Sequence, residues 1–451
     1  MAMLIFGGCC CGSGGNGDYS GSGGADAGRV PLRDEIGDKY KWRLEDMFAT
    51  DSEWERECEA LKASFDSIAA YRGRLSGSAE TLFECLQAQD DISSRCEMVY
   101  AYARMRRDED NNIDKYQVFA ASAMSLYSDV MAAMSYIAPE IIAMEDGLVE
   151  KYLGEDATGT GLGAYRHFIE DLMRQKAHIL SDREEEIMAM AAEPLSSSSD
   201  IYTKFSNADL KFPNVRDDKG NEVELSEGRY VRLLESHDRQ VRRDTFSALY
   251  STYGLYKNTI AASLSASIKK DHFVSTVRHY RSTIEACLDA DNVPVPVYDN
   301  LIETVNQNLP LMHRYLRLRK KALKLDALHM YDLYVPIVEA ADKHVPYDAA
   351  AGLILEGLAP LGKRYIEDLE SALRPGWADV YENVGKTRGA YSWGAYRAHP
   401  YILLNYQNTI DDVLTFAHEL GHAMHTYYTN LAQPYVYSDY KIFVAEVACM
   451  V

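Results

Sequence analysis

Apolar residues recur at three- and four-residue spacing along most of the chain, and that period predicts helices. Asp51 or Ser52 is placed to cap a helix carrying Trp54, Cys58, Leu61 and Phe65, which stops at Tyr71-Arg72-Gly73. Ser78 opens a second, with Leu82, Cys85, Leu86, Val99, Tyr102 and Met105 as its apolar positions. A third runs from Asn112 to Met144 and carries Tyr116, Phe119, Ala123, Leu126, Val130 and Met134. Three such stripes in succession predict a helical N-terminal domain built from antiparallel neighbours. The period falls to two where Asp209-Leu210-Lys211-Phe212 and Glu222-Val223-Glu224-Leu225 flank Asp217-Asp218-Lys219-Gly220-Asn221, which predicts a β-hairpin. Helical patterning returns at Glu227 and continues to Leu373, broken at Pro294-Val295-Pro296 and Tyr334-Val335-Pro336. The fold class is therefore mainly α.

Composition narrows the function classes. Hydrophobic residues make up 47% of the 451 positions, enough for a sizeable core. The formal net charge of -21 argues against nucleic acid, whose phosphates need basic patches. No apolar run is judged to reach membrane-spanning length, and the N-terminus lacks the basic stretch of a secretory signal. Of the eight cysteines, Cys9, Cys10 and Cys11 are consecutive and the others are scattered without a CxxC pair. Reduced thiols and a cytoplasmic location are the expectation. Gly, Ser, Cys and Asp dominate residues 7–28, so residues 1–30 are expected to form a flexible leader.

The chemistry sits near the C-terminal end. Thr409-Ile410-Asp411-Asp412 has the form of a capping box, and Val413, Phe416, Ala417, Leu420 and Met424 follow at helical spacing. Residues 411–429 are predicted to form one helix, stopped by Asn430 and Pro434. It carries His418-Glu419-Leu420-Gly421-His422, an HExxH motif. Residues four apart on a helix differ by about 40° in direction and about 6 Å in height. Both imidazoles can therefore share one zinc ion, and Glu419, one position round, can reach a metal-activated water as general base. His425 lies about 10.5 Å along the axis from His418, too far to join both histidines on one ion. The longer motif with a third histidine is excluded, because His425 and Tyr428 stand where it needs glycine and histidine. Glu446 lies in the apolar run Ile442-Phe443-Val444-Ala445-Glu446-Val447-Ala448. A buried carboxylate there needs a partner, and the pattern alone leaves a metal and a salt bridge equally open.

Several segments carry a resemblance. His418 to His425, Gln433-Pro434-Tyr435-Val436-Tyr437 and Phe443 to Ala448 are joined by Gly389-Ala390-Tyr391-Ser392-Trp393-Gly394 and His399-Pro400-Tyr401-Ile402-Leu403-Leu404-Asn405-Tyr406. With His329 to Tyr334, the hairpin and Tyr40-Lys41-Trp42, they closely resemble the oligoendopeptidase F group of the thimet oligopeptidase family of zinc peptidases. The resemblance runs from about residue 31 to the end of the sequence. It implies one Zn2+ per chain, with His418, His422 and Glu446 as ligands and Glu419 as catalytic base. It also implies a multi-helix fold enclosing a deep channel, and hydrolysis of short peptide substrates. The organisation expected is a leader at 1–30, a helical domain at 31–200 and a catalytic domain at 201–451.

Substrate contacts are expected from His425, Tyr391, Tyr401 and Leu403. Tyr401 to Tyr406 reads either as an edge strand that receives an extended peptide or as a strand that merely packs the metal helix. The sequence departs from the family near its end. Family chains continue past the third ligand, where a tyrosine and a histidine help hold the oxyanion and the substrate, whereas this one stops at Val451. Cys449 and Met450 stand where serine and threonine are usual. A fragment of an active enzyme is the expectation. A weak or inactive relative that only binds peptides is the alternative, and a zinc exopeptidase lacks any local signature.

Overall fold

The computed structural model describes residues 31–145, 147–155, 161–225, 227–337 and 345–450; the expected leader lies outside them. Helices dominate. The described strands are β1 (Asn214–Arg216), β2 (Glu222–Glu224), β3 (Ala378–Asp379), β4 (Tyr391–Trp393) and β5 (Tyr401–Leu403). The chain divides into two compact units, one within Met1–Arg174 and Lys343–Val451, the other Gln175–Asp342. The boundary expected between residues 200 and 201 falls inside the helix Asp182–Lys204. The unit holding the HExxH motif takes its other half from the N-terminal helices.

Those helices form where the stripes place them, but the first is capped by Thr50 and not by Asp51 or Ser52. Thr50 caps Asp51–Ala63, accepting the Glu53 N–H at 3.3 Å, and Ser78 caps Ala79–Glu109, accepting the Thr81 N–H at 3.1 Å. Phe119, Ala123, Leu126, Val130 and Met134 line the buried face of Asp114–Met134. Trp54 stacks on Phe119 with centroids 4.2 Å apart, and its indole N–H donates to the Val99 carbonyl at 2.8 Å. Each large side chain buried here contributes roughly 1.5–3 kcal/mol. The expectation about apolar runs needs correction at this point. The helical stretch Asp114–Ile142 is long and apolar enough to cross a membrane by length and composition. Its stripe residues belong to the core, while 28% of the apolar window is buried inside the fold.

The long helix ends in two buried acids that fix distant chain. Asp108 accepts the Thr387 hydroxyl and the Tyr391 phenol, each at 2.9 Å. Glu109 accepts the Trp42 indole N–H at 2.7 Å and the Arg33 guanidinium at 2.8 Å. Arg33 also bridges to Asp379, which pairs with Lys386 at 2.6 Å. Leaving any of these acids unpartnered in the interior would be costly, so the network sets the register of residues 379–391. β4 is thereby presented to the sheet β3-β5-β4, in which β5 is the central strand. β3 runs parallel to β5, and β4 runs antiparallel with Tyr391 opposite Leu403 and Trp393 opposite Tyr401.

In the second unit, β1 and β2 form the expected hairpin, with Val215 opposite Val223. Gly220 takes φ +81° in the turn, a conformation glycine adopts without strain. The first strand starts at Asn214 and not at 209, because Phe205–Asp209 continues the preceding helix as a π turn.

Asp332 is the electrostatic anchor of this unit. It is fully buried and accepts from Arg239 at 2.9 and 3.1 Å, from Arg242 at 2.8 Å and from the His329 N–H at 3.0 Å. Burial pushes its carboxyl up, but these hydrogen bonds outweigh that and hold it at about 2. A depressed folded pKa stabilises above the unfolded value, near 4, and that stability is lost as pH falls toward 2. Asp332→Ala leaves Arg242 buried without its carboxylate and is expected to cost about 3 kcal/mol. Denaturant unfolding at pH 7 and pH 2.5 measures both effects, and the cost should shrink at the lower pH. An equal cost at both would show that Asp332 acts by packing alone.

Candidate metal centre

The helix Ile410–Ala432 carries the motif. Its start is fixed by a reciprocal cap. Thr409 Oγ1 accepts the Asp412 N–H at 3.1 Å, while the Asp412 carboxylate accepts the Thr409 N–H at 2.8 Å and the Gln407 N–H at 3.1 Å. Val413, Phe416, Leu420, Ala423 and Met424 form its buried side, with Phe416 against Tyr347 at 5.1 Å between centroids. That packing sets the rotation of the helix and brings His418 and His422 together on another face. Their Nε2 atoms lie 3.2 Å apart.

A second helix, Ile442–Met450, supplies the remaining donors. A Glu446 carboxylate oxygen lies 3.9 Å from His418 Nε2. Cys449, one turn later, places its sulfur 3.4 Å from that same oxygen. One donor atom from each of His418, His422, Glu446 and Cys449 falls within 4.8 Å of all the others. A tetrahedral ion with bonds of about 2.0–2.1 Å needs donor separations of about 3.3 Å, so the two imidazoles and the carboxylate fit a zinc-sized ion. The reason expected for Glu446 is corrected, however. Its side chain is 40% exposed, and Ile442, Val444, Val447 and Met450 are exposed as well. Geometry, and not burial, carries its place in the donor set.

The two helices meet at Gly421. A Cβ there would lie 2.6 Å from Cys449 Cα and 2.9 Å from the Ala448 carbonyl oxygen. The backbones can approach this closely only because position 421 has no side chain.

Glu419 is 2% exposed and lies outside the donor set. Burial, then the facing Glu446, pushes its carboxyl up to about 7, against a hydrogen bond from the Ser392 backbone. Burial, then His418, holds His422 below the ordinary histidine value, with Glu446 acting the other way. A neutral imidazole is the form that binds a metal. Burial, then Glu446, pushes the Cys449 thiol up to about 12.

The expected substrate residues fare differently. Tyr401 and Leu403 are fully buried in the central strand, with the Tyr401 phenol donating to the Arg43 carbonyl at 3.2 Å. The edge-strand reading of β5 is therefore overturned, since both of its sides are paired. Tyr391 is committed to Asp108 and positions β4. His425 stacks on Tyr440 with centroids 3.7 Å apart, and its buried Nδ1 has no hydrogen-bond partner among the described residues. Sequence reasoning missed the Ser392 bond to Glu419 and the close approach at Gly421. It noted Cys449 only as a departure. Its one-turn spacing from Glu446 was the available signal.

This combination, a mainly helical fold with an HExxH helix and a carboxylate donor from a second helix, defines a metallopeptidase-type site. The model of peptidase family M3 matches residues 232–451, and the oligopeptidase F model matches residues 140–212. The chain is 44% identical to oligopeptidase PepF of Bacillus subtilis over 94% of its own length and 62% of that protein. It is 41% identical to the group B oligopeptidase PepB of Streptococcus agalactiae over 92% of its length and 69% of that protein. The crystal structure of oligoendopeptidase-F from Enterococcus faecium is similar at a TM-score of 0.64 and 32% identity, over 88% of this chain and 65% of that one. The chain belongs to peptidase family M3, in its oligoendopeptidase F group. It spans 62% of the Bacillus relative's length.

Proposed function

We propose that this chain is a zinc-dependent endopeptidase of short oligopeptides, with His418, His422 and Glu446 holding one metal ion and Glu419 acting as general base. The observation that carries this reading is the convergence of two imidazoles and a carboxylate beside the buried Glu419. A bound zinc ion supplies Lewis-acid polarisation and a lowered pKa for water. Glu419, whose carboxyl is pushed up by burial, takes a proton from the attacking water and returns it to the leaving amine. The Ser392 backbone fixes the carboxylate for that transfer.

β4 is an outer strand of its sheet, so an extended peptide meets the edge of Tyr391–Trp393 and not β5, beside the Ser392 N–H that Glu419 accepts. This moves the peptide contact from the side chains of Tyr401 and Leu403 to a backbone edge beside Glu419. Preference for short substrates follows the relatives' names as oligopeptidases. We also place the chain in a reducing cytoplasm, on the scattered cysteines without a CxxC pair.

The chain is expected to hold one zinc and to cleave an internally quenched peptide blocked at both ends. A chelator should abolish cleavage and added zinc should restore it. Cleavage that survives metal removal would overturn the mechanism, and activity confined to unblocked ends would replace it with exopeptidase chemistry.

A further inference from the structure

We propose that Cys449 is a fourth protein donor to the metal, so that the centre closes as two imidazoles, one carboxylate and one thiolate. The proposal rests on the reading of His418, His422 and Glu446 as donors. Three features of the chain support it.

The first is distance. A tetrahedral ion with a sulfur ligand at about 2.3 Å needs sulfur-to-nitrogen or sulfur-to-oxygen separations of about 3.6 Å. Cys449 Sγ lies 3.4 Å from the Glu446 carboxylate, and no donor pair among the four exceeds 4.8 Å. The second is helical spacing. Glu446 and Cys449 are three residues apart, so one turn presents both side chains to the histidine pair. The third is the backbone. The contact between Gly421 and Cys449 Cα leaves no room for a side chain between the helices, which holds the root of the cysteine against the HExxH helix.

Coordination converts the thiol to a thiolate. The S–H bond breaks, its proton passes to solvent, and the sulfur lone pair forms the new bond to the metal. No oxidant or reductant is involved. A site with four protein donors has the closed form of a tetrahedral structural centre, whereas three leave a position open to water. Cys449 would thus compete with the attacking water for the fourth position, and the cleavage expected of this chain would come from the fraction of sites in which the thiol is displaced. A thiolate also biases the centre toward zinc over the harder manganese and calcium ions.

X-ray absorption at the zinc edge of the zinc-loaded full chain tests this directly. The expected spectrum contains one sulfur at about 2.3 Å beside nitrogen and oxygen at about 2.0–2.1 Å. In Cys449→Ser the sulfur shell should vanish while one zinc remains, bound about tenfold more weakly in a competition assay, as for loss of a supporting group or more. Cys449→Ala should behave alike and guards against a folding defect peculiar to serine. His418→Ala should also lose the sulfur shell. Zinc bound through nitrogen and oxygen alone in the parent would overturn the proposal and leave the three-donor reading standing; Cys449 would then only hydrogen-bond Glu446. A sulfur shell that persists in Cys449→Ser would place the ion on other cysteines and also overturn it. If the parent binds no zinc, the metal reading itself falls, and this proposal with it.

Discussion

Glu419→Gln is expected to keep one metal ion per chain and to lower peptide turnover by about 10²–10⁴, or roughly 3–5 kcal/mol of transition-state stabilisation. The two side chains have the same shape, and the amide oxygen can still accept the Ser392 N–H. What the amide cannot do is take up a proton. The fold should tolerate the change, because the carboxylate it removes is buried and faces another acid, Glu446. Thermal stability should therefore hold steady or rise while turnover falls. The site separates binding from chemistry in this way because Glu419 lies outside the donor set. Metal content and cleavage of the quenched peptide, measured on the same preparation, decide the matter. Wild-type turnover in the variant would remove Glu419 from the proton-transfer role. Loss of metal along with activity would make it part of the binding set.

What the sequence disclosed followed from local rules. The stripe from Phe119 to Met134, the caps at Ser78 and Thr409 and the shared face of His418 and His422 all depend on the rise and turn of one helix. The surprises came where distant segments meet. Asp108 reaches residues 387 and 391, close to 280 positions away, and this contact joins the N-terminal helices to the sheet beside the motif. No period in the sequence reports such a pairing, so a domain boundary placed by pattern fell inside a helix. Tyr401 to Leu403 shows the same limit for strands. Alternation identifies a strand but says nothing of its neighbours, and the two paired sides of β5 decide its role. The apolar run around Glu446 predicted burial, yet an apolar residue is buried only when something lies over it. The clamp at Asp332 was invisible for a related reason, since its two arginines lie about 90 positions upstream.

Gly421→Ala is the substitution that sets local preference against packing most sharply. By helix propensity alone, alanine at a mid-helix position stabilises by about 1 kcal/mol. Here the added methyl would meet Cys449 Cα at 2.6 Å and the Ala448 oxygen at 2.9 Å, and both are backbone atoms that no rotamer change can move. Carbon atoms rest at about 3.5–4.0 Å, so the helix Ile442–Met450 must shift by about 1 Å. Metal sites tolerate ligand displacements of only about 0.2 Å. His418 and His422 stay in place on their own helix while Glu446 and Cys449 move away, so the donor set opens. Zinc affinity is expected to fall by about 100-fold, with the helical content of the protein unchanged. The overpacking should cost about 1–3 kcal/mol, outweighing the propensity gain. Gly352→Ala is the matched control, because a Cβ there meets nothing within 4 Å in the helix Tyr347–Gly357. It should raise stability by about 0.5–1 kcal/mol and leave zinc affinity untouched. Should Gly421→Ala instead behave like the control, gaining stability and keeping its zinc, the close approach of the two helices would not be what holds Glu446 beside the histidines.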